Sequence, residues 1–274
     1  MERREFLMAT ALTSVGLGGG QISLHLAGTV ATGPSVHHHE RASTVVTRKI
    51  LIAGGGFRTA FIRYMAELTG KARPKLCFLP TAWRDDENDT IAWFKNCAPL
   101  NVEASVQNSF IESVTQPKGW DEVFLSVDGI VVGGGNTLNQ QAIWQAQGID
   151  VVLRQAWEQG IVLGGASAGS LCWFEEGTTD SRPKALSIVK CLGLLKGSHS
   201  PHYDAEPGRR PLYQKLIASG AMQPGYACDN DAGIYFENDA VQRVVATRPE
   251  AKVYHVTRVG NQAVERVMEP EQID

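Results

Sequence analysis

Gly160-Ile161-Val162-Leu163-Gly164-Gly165-Ala166-Ser167-Ala168-Gly169-Ser170-Leu171 decides the fold. Its apolar first part has the length of a buried strand, and its small residues suit a tight turn. The following Ser170-Leu171-Cys172-Trp173-Phe174 is compatible with a helix. Strand, sharp turn and helix in that order set Ser167 at the apex, at the carboxyl end of a strand, with a helix N-terminus behind it that favours developing negative charge. That is the placement a nucleophile needs. A Gly-x-Ser-x-Gly pentapeptide alone is as readily a glycine-rich turn, so its chemical partners must be found elsewhere in the chain.

Outward from this stretch, apolar runs alternate with amphipathic ones. Lys49–Ala53 reads as a strand, Thr59–Thr69 as a helix and Leu76–Leu79 as a strand. Asp89–Ala98, Thr137–Gln147 and Asp150–Gln159 read as helices, and Val102–Val106, Gly129–Val132 and Ile161–Leu163 as strands. The spacing predicts an α/β fold of three layers, a mostly parallel sheet with helices on both faces, in which sites collect at the carboxyl ends of the strands. Beyond Gly233, the runs Ile234–Glu237, Val241–Thr247, Lys252–Val256 and Ala263–Met268 predict an antiparallel flank. Gly54-Gly55-Gly56 lacks the Gly-x-Gly-x-x-Gly spacing of a dinucleotide turn, and no acidic residue ends a second strand about twenty residues on. Gly133-Gly134-Gly135-Asn136-Thr137 opens a helix with Asn136 or Thr137 as N-cap, and its backbone N–H groups suit an oxyanion beside Ser167.

With 274 residues, 43% of them hydrophobic and 20% charged, the chain is long enough for a full core. A net charge of -3 and a pI near 6.2 carry no electrostatic footprint for nucleic acid. Five scattered cysteines without a Cys-x-x-Cys pair form no disulfide framework, and Cys77 lies in an apolar run as an inert core thiol. Residues 1–45 differ from the rest. Arg3-Arg4-Glu5-Phe6-Leu7, followed by a weakly apolar run rich in Gly, Ala, Ser and Thr, matches a twin-arginine export signal. The run is too interrupted for a membrane span. Export to the periplasm or beyond is therefore the expectation, with a disordered extension on a cytoplasmic protein as the alternative. Residues 46–274 are the expected catalytic domain. His37-His38-His39 lies in a Pro/Ser/Gly/Thr-rich stretch without other metal ligands and reads as a solvated run.

A base for Ser167 must come from His199, His202 or His255 once the N-terminal tail is set aside. His255 sits in an alternating strand and reads as structural. His199 and His202 lie in Lys196–Asp204, read as a loop that can present an imidazole at a sheet edge. Cys228-Asp229-Asn230-Asp231 supplies two acids to orient the imidazole. The order Ser, His, acid argues against an α/β-hydrolase, where the acid precedes the histidine.

Gly133-Gly134-Gly135-Asn136-Thr137, Ser167-Ala168-Gly169, Thr178-Thr179-Asp180 and Pro201-His202-Tyr203, in this order and spacing, resemble peptidase E (aspartyl dipeptidase) and its relatives, which include cyanophycinase, over most of residues 48–268. The resemblance implies a fold related to class I glutamine amidotransferases, with serine where those enzymes carry a nucleophilic cysteine. It implies Ser167 as nucleophile, His202 as base, and the backbone N–H groups of Gly135 and Ala168 as oxyanion hole. Peptidase E's third member is a glutamate; the matching position here is Asp231, with Asp229 as competitor. Asp180 matches an aspartate of a family segment one residue longer, and with Asn136 is expected to support the site. Arg209 and Arg210 fall where the family places arginines and suit a bidentate contact with a substrate carboxylate; a solvated pair opening the helix Pro211–Ile217 is the alternative. The implied activity is serine-type hydrolysis of short peptides, with Asp-Xaa dipeptides as candidate substrates and no metal or cofactor. Cys172–Glu176 departs from peptidase E itself and points to another, peptidase E-like branch of the family. A cyanophycinase-like exopeptidase and a non-catalytic binding protein of the same fold stay open, as does a homodimer. Neither nucleic acid nor, for the mature chain, a membrane is an expected partner.

Overall fold

The structure, a computed structural model, describes residues 46–111 and 116–274. The expected export signal, the solvated His37–His39 run and the proposed 1–45 segment lie outside the described residues. The chain runs β1 (Lys49–Ala53), α1 (Thr59–Leu68), β2 (Lys75–Leu79), α2 (Glu87–Cys97), β3 (Glu103–Val106), α3 (Trp120–Phe124), β4 (Gly129–Val132), α4 (Thr137–Gln147), α5 (Ile149–Glu158) and β5 (Val162–Ala166). It continues through α6 (Ala168–Leu171), β6 (Phe174–Thr179), β7 (Ser187–Lys190), β8 (Leu195–Ser200), α7 (Arg209–Ser219), β9 (Gly225–Cys228) and β10 (Ala232–Glu237). The last strands are β11 (Ala240–Ala246), β12 (Val253–Val259), β13 (Gln262–Met268) and β14 (Glu271–Gln272).

The first sheet has the order β14-β11-β10-β1-β5-β4-β2-β3, and β1, β5, β4, β2 and β3 are all parallel. The inner strands β1, β5, β4 and β2 are buried on both faces, as successive side chains point to opposite sides, whereas the edge strand β3 is partly exposed along its length. Leu51 and Ala53 of β1 pack with Phe61, Ile62 and Met65 of α1 and Trp93 of α2. Ile50 and Ile52 face the other way, toward Trp144, Leu153 and Trp157 of α4 and α5. Cys77, on the same layer, is buried, and burial pushes its pKa up to about 11, as expected for an inert thiol.

A second sheet, absent from the sequence reading, has the order β13-β12-β9-β8-β6-β7. It divides the expected antiparallel flank: β10 and β11 extend the first sheet, whereas β12 and β13 belong to the second. It also takes up Lys196–Ser200, read as loop, and Phe174, read as helix. The strand β8 is polar, and its buried side chains are satisfied one by one. Ser198 meets the Tyr213 hydroxyl, His199 meets Ser170, and Ser200 meets Thr178. A buried polar strand of this kind has no hydrophobic signature. Phe174 and Phe236 meet edge to face at 6.0 Å, and Phe174 also stacks on His199 at 5.0 Å, so this ring ties the two sheets together. Phe174→Ala should therefore cost about 3–5 kcal/mol in chemical denaturation, the range for deleting a fully buried aromatic ring.

Candidate active site

The end of β5 turns sharply into α6 at Ser167, whose backbone angles are φ 59° and ψ -120°. This conformation costs a non-glycine residue of order 1–3 kcal/mol. The two flanking glycines are required by space, since a Cβ at Gly165 would lie 2.3 Å from the Val132 carbonyl oxygen and one at Gly169 only 2.0 Å from it. The strained turn is braced from below. Ser170 Oγ lies 2.8 Å from the Ser167 carbonyl oxygen and 2.9 Å from His199 Nε2, and the Ser170 and Leu171 N–H groups donate to that same carbonyl.

His202 lies just past β8, and its Nε2 is 2.7 Å from Ser167 Oγ. Its Nδ1–H donates to Asn230 Oδ1 at 2.7 Å. An amide oxygen accepts only, so Nδ1 carries the proton and Nε2 is left to accept from the serine hydroxyl. Asn230 is held in turn by Asp204 Oδ1, which accepts its backbone N–H at 2.8 Å, and by Arg248, which donates to its carbonyl at 3.1 Å and to Asp204 Oδ2 at 2.5 Å. A Cβ at Gly55 would lie 2.3 Å from Asn230 Oδ1 and 3.0 Å from His202 Cε1, so only glycine leaves room for the pair.

The residue on the far nitrogen of His202 is thus Asn230, neither Asp231 nor Asp229. Asp231 has φ 65°, its N–H donates to the Gly55 carbonyl, and its carboxylate points toward Gly56 and Arg248, 3.7 Å from Arg248 Nε. Asp229 accepts the Lys252 N–H at 2.9 Å. Weighing only acids missed the amide between them, although an asparagine orients the imidazole in Cys-His-Asn proteases. Asp204 and Arg248 had no local sequence signal at all. His199, the competing imidazole, is fully buried between Ser170 and the Tyr226 carbonyl, and burial lowers its pKa to about 3.

The two arginines do not reach the serine. Arg209 is buried, with Nε on Glu206 at 2.6 Å, Nη1 on the Thr178 carbonyl at 2.5 Å and Nη2 3.6 Å from Asp180. Arg210 pairs with Glu265 and lies over the rings of Tyr203 and Tyr254. Neither arginine lines a cavity beside Ser167, which counts against the expected guanidinium contact to a substrate carboxylate. Gly135 and Asn136 line a cavity of about 280 Å3 with Trp83, Asp180, Ser181 and Ser167. Asn136 caps α4 by accepting the Asn139 N–H, and its amide donates to the Ser181 carbonyl. Ala168 is the first residue of α6, so its N–H has no intrahelical acceptor. On the other side of Ser167, a cavity of about 230 Å3 is shared by His202, Gly134 and the rings of Phe57, Phe78 and Trp93. Among the described residues, no group of three or more His, Cys, Asp or Glu side chains forms a metal-ligand set.

The model of peptidase family S51 matches residues 50–244. The chain belongs to peptidase family S51. It is 38% identical over 223 residues to a protein of Bacillus subtilis (strain 168) named uncharacterized peptidase YgaJ, covering 79% of this chain and 94% of that one. Membership makes the protein a serine-type peptidase, as the resemblance to peptidase E implied. The fold is similar to that of a crystallised peptidase from an acI-B1 actinobacterium, with a TM-score of 0.65 and 14% identity over 84% of this chain and 97% of that one. It is also similar to a putative peptidase E protein from Listeria monocytogenes EGD-e, with a TM-score of 0.57 and 19% identity over 74% of this chain and all of that one.

Burial of the Asp229 carboxyl, only partly offset by the Lys252 N–H, raises its pKa from 3.8 to about 6. The folded chain therefore holds this proton over a range where the unfolded chain has lost it, and the group's contribution to stability falls as pH rises from about 4 to about 6. Asp229→Asn keeps an oxygen for Lys252 without the charge. Its stability relative to the parent protein, measured by denaturation, should be higher at pH 7 than at pH 4.

Proposed function

We propose that Ser167, His202 and Asn230 are the catalytic triad of a peptidase that hydrolyses short peptides with a free N-terminus through an acyl-enzyme. The observation that carries this reading is the 2.7 Å approach of His202 Nε2 to Ser167 Oγ at a strained elbow. Ser167 Oγ attacks the peptide carbonyl while His202 Nε2 takes its proton. The oxyanion lies against the N–H groups of Ala168 and Gly135, and the proton on His202 passes to the leaving nitrogen as the C–N bond breaks. Water then repeats the cycle and frees the acid. Asn230 Oδ1 keeps the imidazole in the tautomer this requires.

A binding protein of the same fold has no use for the strain at Ser167 or for a histidine aligned on its hydroxyl, which favours the enzyme. The Asp180 side chain is 63% exposed at the Gly135 side of the cleft, where a carboxylate suits a substrate ammonium. Preference for an aspartyl residue, and the cyanophycinase-like alternative, lose their support because Arg209 and Arg210 are engaged elsewhere.

A fluorophosphonate should label Ser167 in the native chain and fail to label Ser167→Ala. Asn230→Ala should lower kcat by about 10²–10⁴-fold, the typical worth of an oriented general base, whereas Asp231→Asn should change kcat far less. Asn230→Asp places an anion beside the imidazole and favours its charged form, so the acidic limb of kcat/KM should move to higher pH. Unchanged turnover in Asn230→Ala, with collapse in Asp231→Asn, returns the role to Asp231.

We also propose that the chain acts outside the cytoplasm, on the strength of Arg3-Arg4-Glu5-Phe6-Leu7. Replacing Arg3 and Arg4 together by lysine should hold it in the cytoplasmic fraction, and an N-terminus between about residues 28 and 37 is expected on the exported protein.

A further inference from the structure

Ser167 divides the cleft into two halves of opposite character. On one side stand Gly135, Asn136, Asp180 and Ser181, polar and acidic apart from the Trp83 ring beside them. On the other, Phe78 and Trp93 stack with centroids 5.3 Å apart and planes inclined by 14°, and Phe57, Val131 and Ala166 complete an apolar wall. Resting on the triad reading above, we propose that the apolar half is the leaving-residue subsite, and that it selects a bulky apolar side chain on the residue after the scissile bond and rejects an acidic one.

The assignment of sides follows from the histidine. His202 lines the apolar half and not the polar one, and Gly135 lines the polar half and not the apolar one. The imidazole that takes the Ser167 proton returns it to the leaving nitrogen as the C–N bond breaks and the acyl group stays on Oγ. The leaving residue therefore departs from the His202 side, and the acyl residue keeps its carbonyl oxygen toward Gly135 and Ala168.

The chemistry of the pocket sets its preference. The helix α2 supplies Asp89, Ala92, Trp93 and Asn96, spaced so that one helix face borders the cavity. A space of about 230 Å3 accepts a leucine or phenylalanine side chain against the stacked rings. Asp89 enters no ion pair among the described residues, and burial, with a smaller contribution from neighbouring Asp86, holds its pKa above the usual carboxylate range. A second carboxylate beside it would share the same poorly solvated space without a cation.

Two measurements on the full chain test this. Dipeptides with a constant acyl residue, Asp in one series and Ala in another, and Leu, Phe, Gly, Asp or Lys as leaving residue, should give kcat/KM at least about tenfold higher for Leu and Phe than for Gly or Asp, the discrimination a hydrophobic pocket typically supplies. Ala92→Phe, on the exposed side of α2, should collapse the Leu-to-Gly ratio toward one. Asp89→Asn should narrow the Leu-to-Asp ratio. Equal turnover across leaving residues, a preference for Lys, or a Leu-to-Gly ratio unmoved by Ala92→Phe would overturn the proposal. Calorimetry with phenylalaninamide, glycinamide and aspartic acid amide reads the pocket without turnover. Tight binding of the first alone supports the subsite, and equal binding of all three overturns it. Failure of the triad itself is seen separately, as Ser167 left unlabelled by the fluorophosphonate.

Discussion

Three successive carbonyls at the end of β1 each accept a hydrogen bond from a different segment of the site. Ala53 accepts from the Ser167 N–H at 3.3 Å, Gly54 from the His202 N–H at 3.3 Å, and Gly55 from the Asp231 N–H at 2.9 Å. The elbow, the histidine loop and the asparagine loop are thereby registered against one strand end, and the distances among their side chains follow from backbone bonds. The approach is so close that side chains are excluded. A Cβ at Gly54 would lie 2.3 Å from the carbonyl oxygens of both Cys228 and Asp229. The Gly54-Gly55-Gly56 run resembles a phosphate-binding turn in composition, yet its space is filled by the protein's own chain.

This arrangement also couples the site to the seam between the sheets. Ser167 ends a strand of the first sheet, His202 follows β8 of the second, and Asn230 lies on the connection from β9 of the second to β10 of the first. The elbow at Ser167 rests on that seam. His199, stacked on Phe174, donates from Nδ1 to the Tyr226 carbonyl and meets Ser170 beneath the elbow. With its pKa lowered to about 3, this imidazole stays neutral across the range in which proteins ordinarily work, so it fixes position without adding charge beneath Ser167.

The inner parallel strands of the first sheet were legible as apolar runs, and α1 and α5 by their 3.6-residue period, whereas the short α3 carries no period and was not read. Ser167 was legible for a different reason, since a strained turn needs small neighbours; the residues left His199 and His202 both open, and the resemblance to peptidase E pointed to His202. The second sheet was not legible. Its strand Leu195–Ser200 buries Ser198, His199 and Ser200, and only tertiary partners such as Tyr213, Ser170 and Thr178 make that burial tolerable. The roles of Arg209 and Arg210 were hidden in the same way, because the Thr178 carbonyl and Glu265 become their partners only once α7 is seated on the second sheet. Asn230 was in view within Cys228–Asp231, but the demand for an acid assumed that the imidazole needs a charge beside it. What it needs first is an acceptor at Nδ1.

An asparagine meets that need only in one orientation. With Oδ1 toward Nδ1, the proton stays on Nδ1 and Nε2 faces the serine as an acceptor. Turned over, the amide would present N–H groups to Nδ1, force the proton onto Nε2, and block transfer from Ser167. The neighbours hold the residue in place through its backbone. Asp204 holds the Asn230 N–H, Arg248 holds its carbonyl and Asp204 together, and the missing side chain at Gly55 leaves the space that Oδ1 occupies. The carboxylates of Asp204 and Asp231, both drawn to Arg248, thus stand one residue behind the imidazole. Their charge is used to fix an amide, and the amide fixes the tautomer.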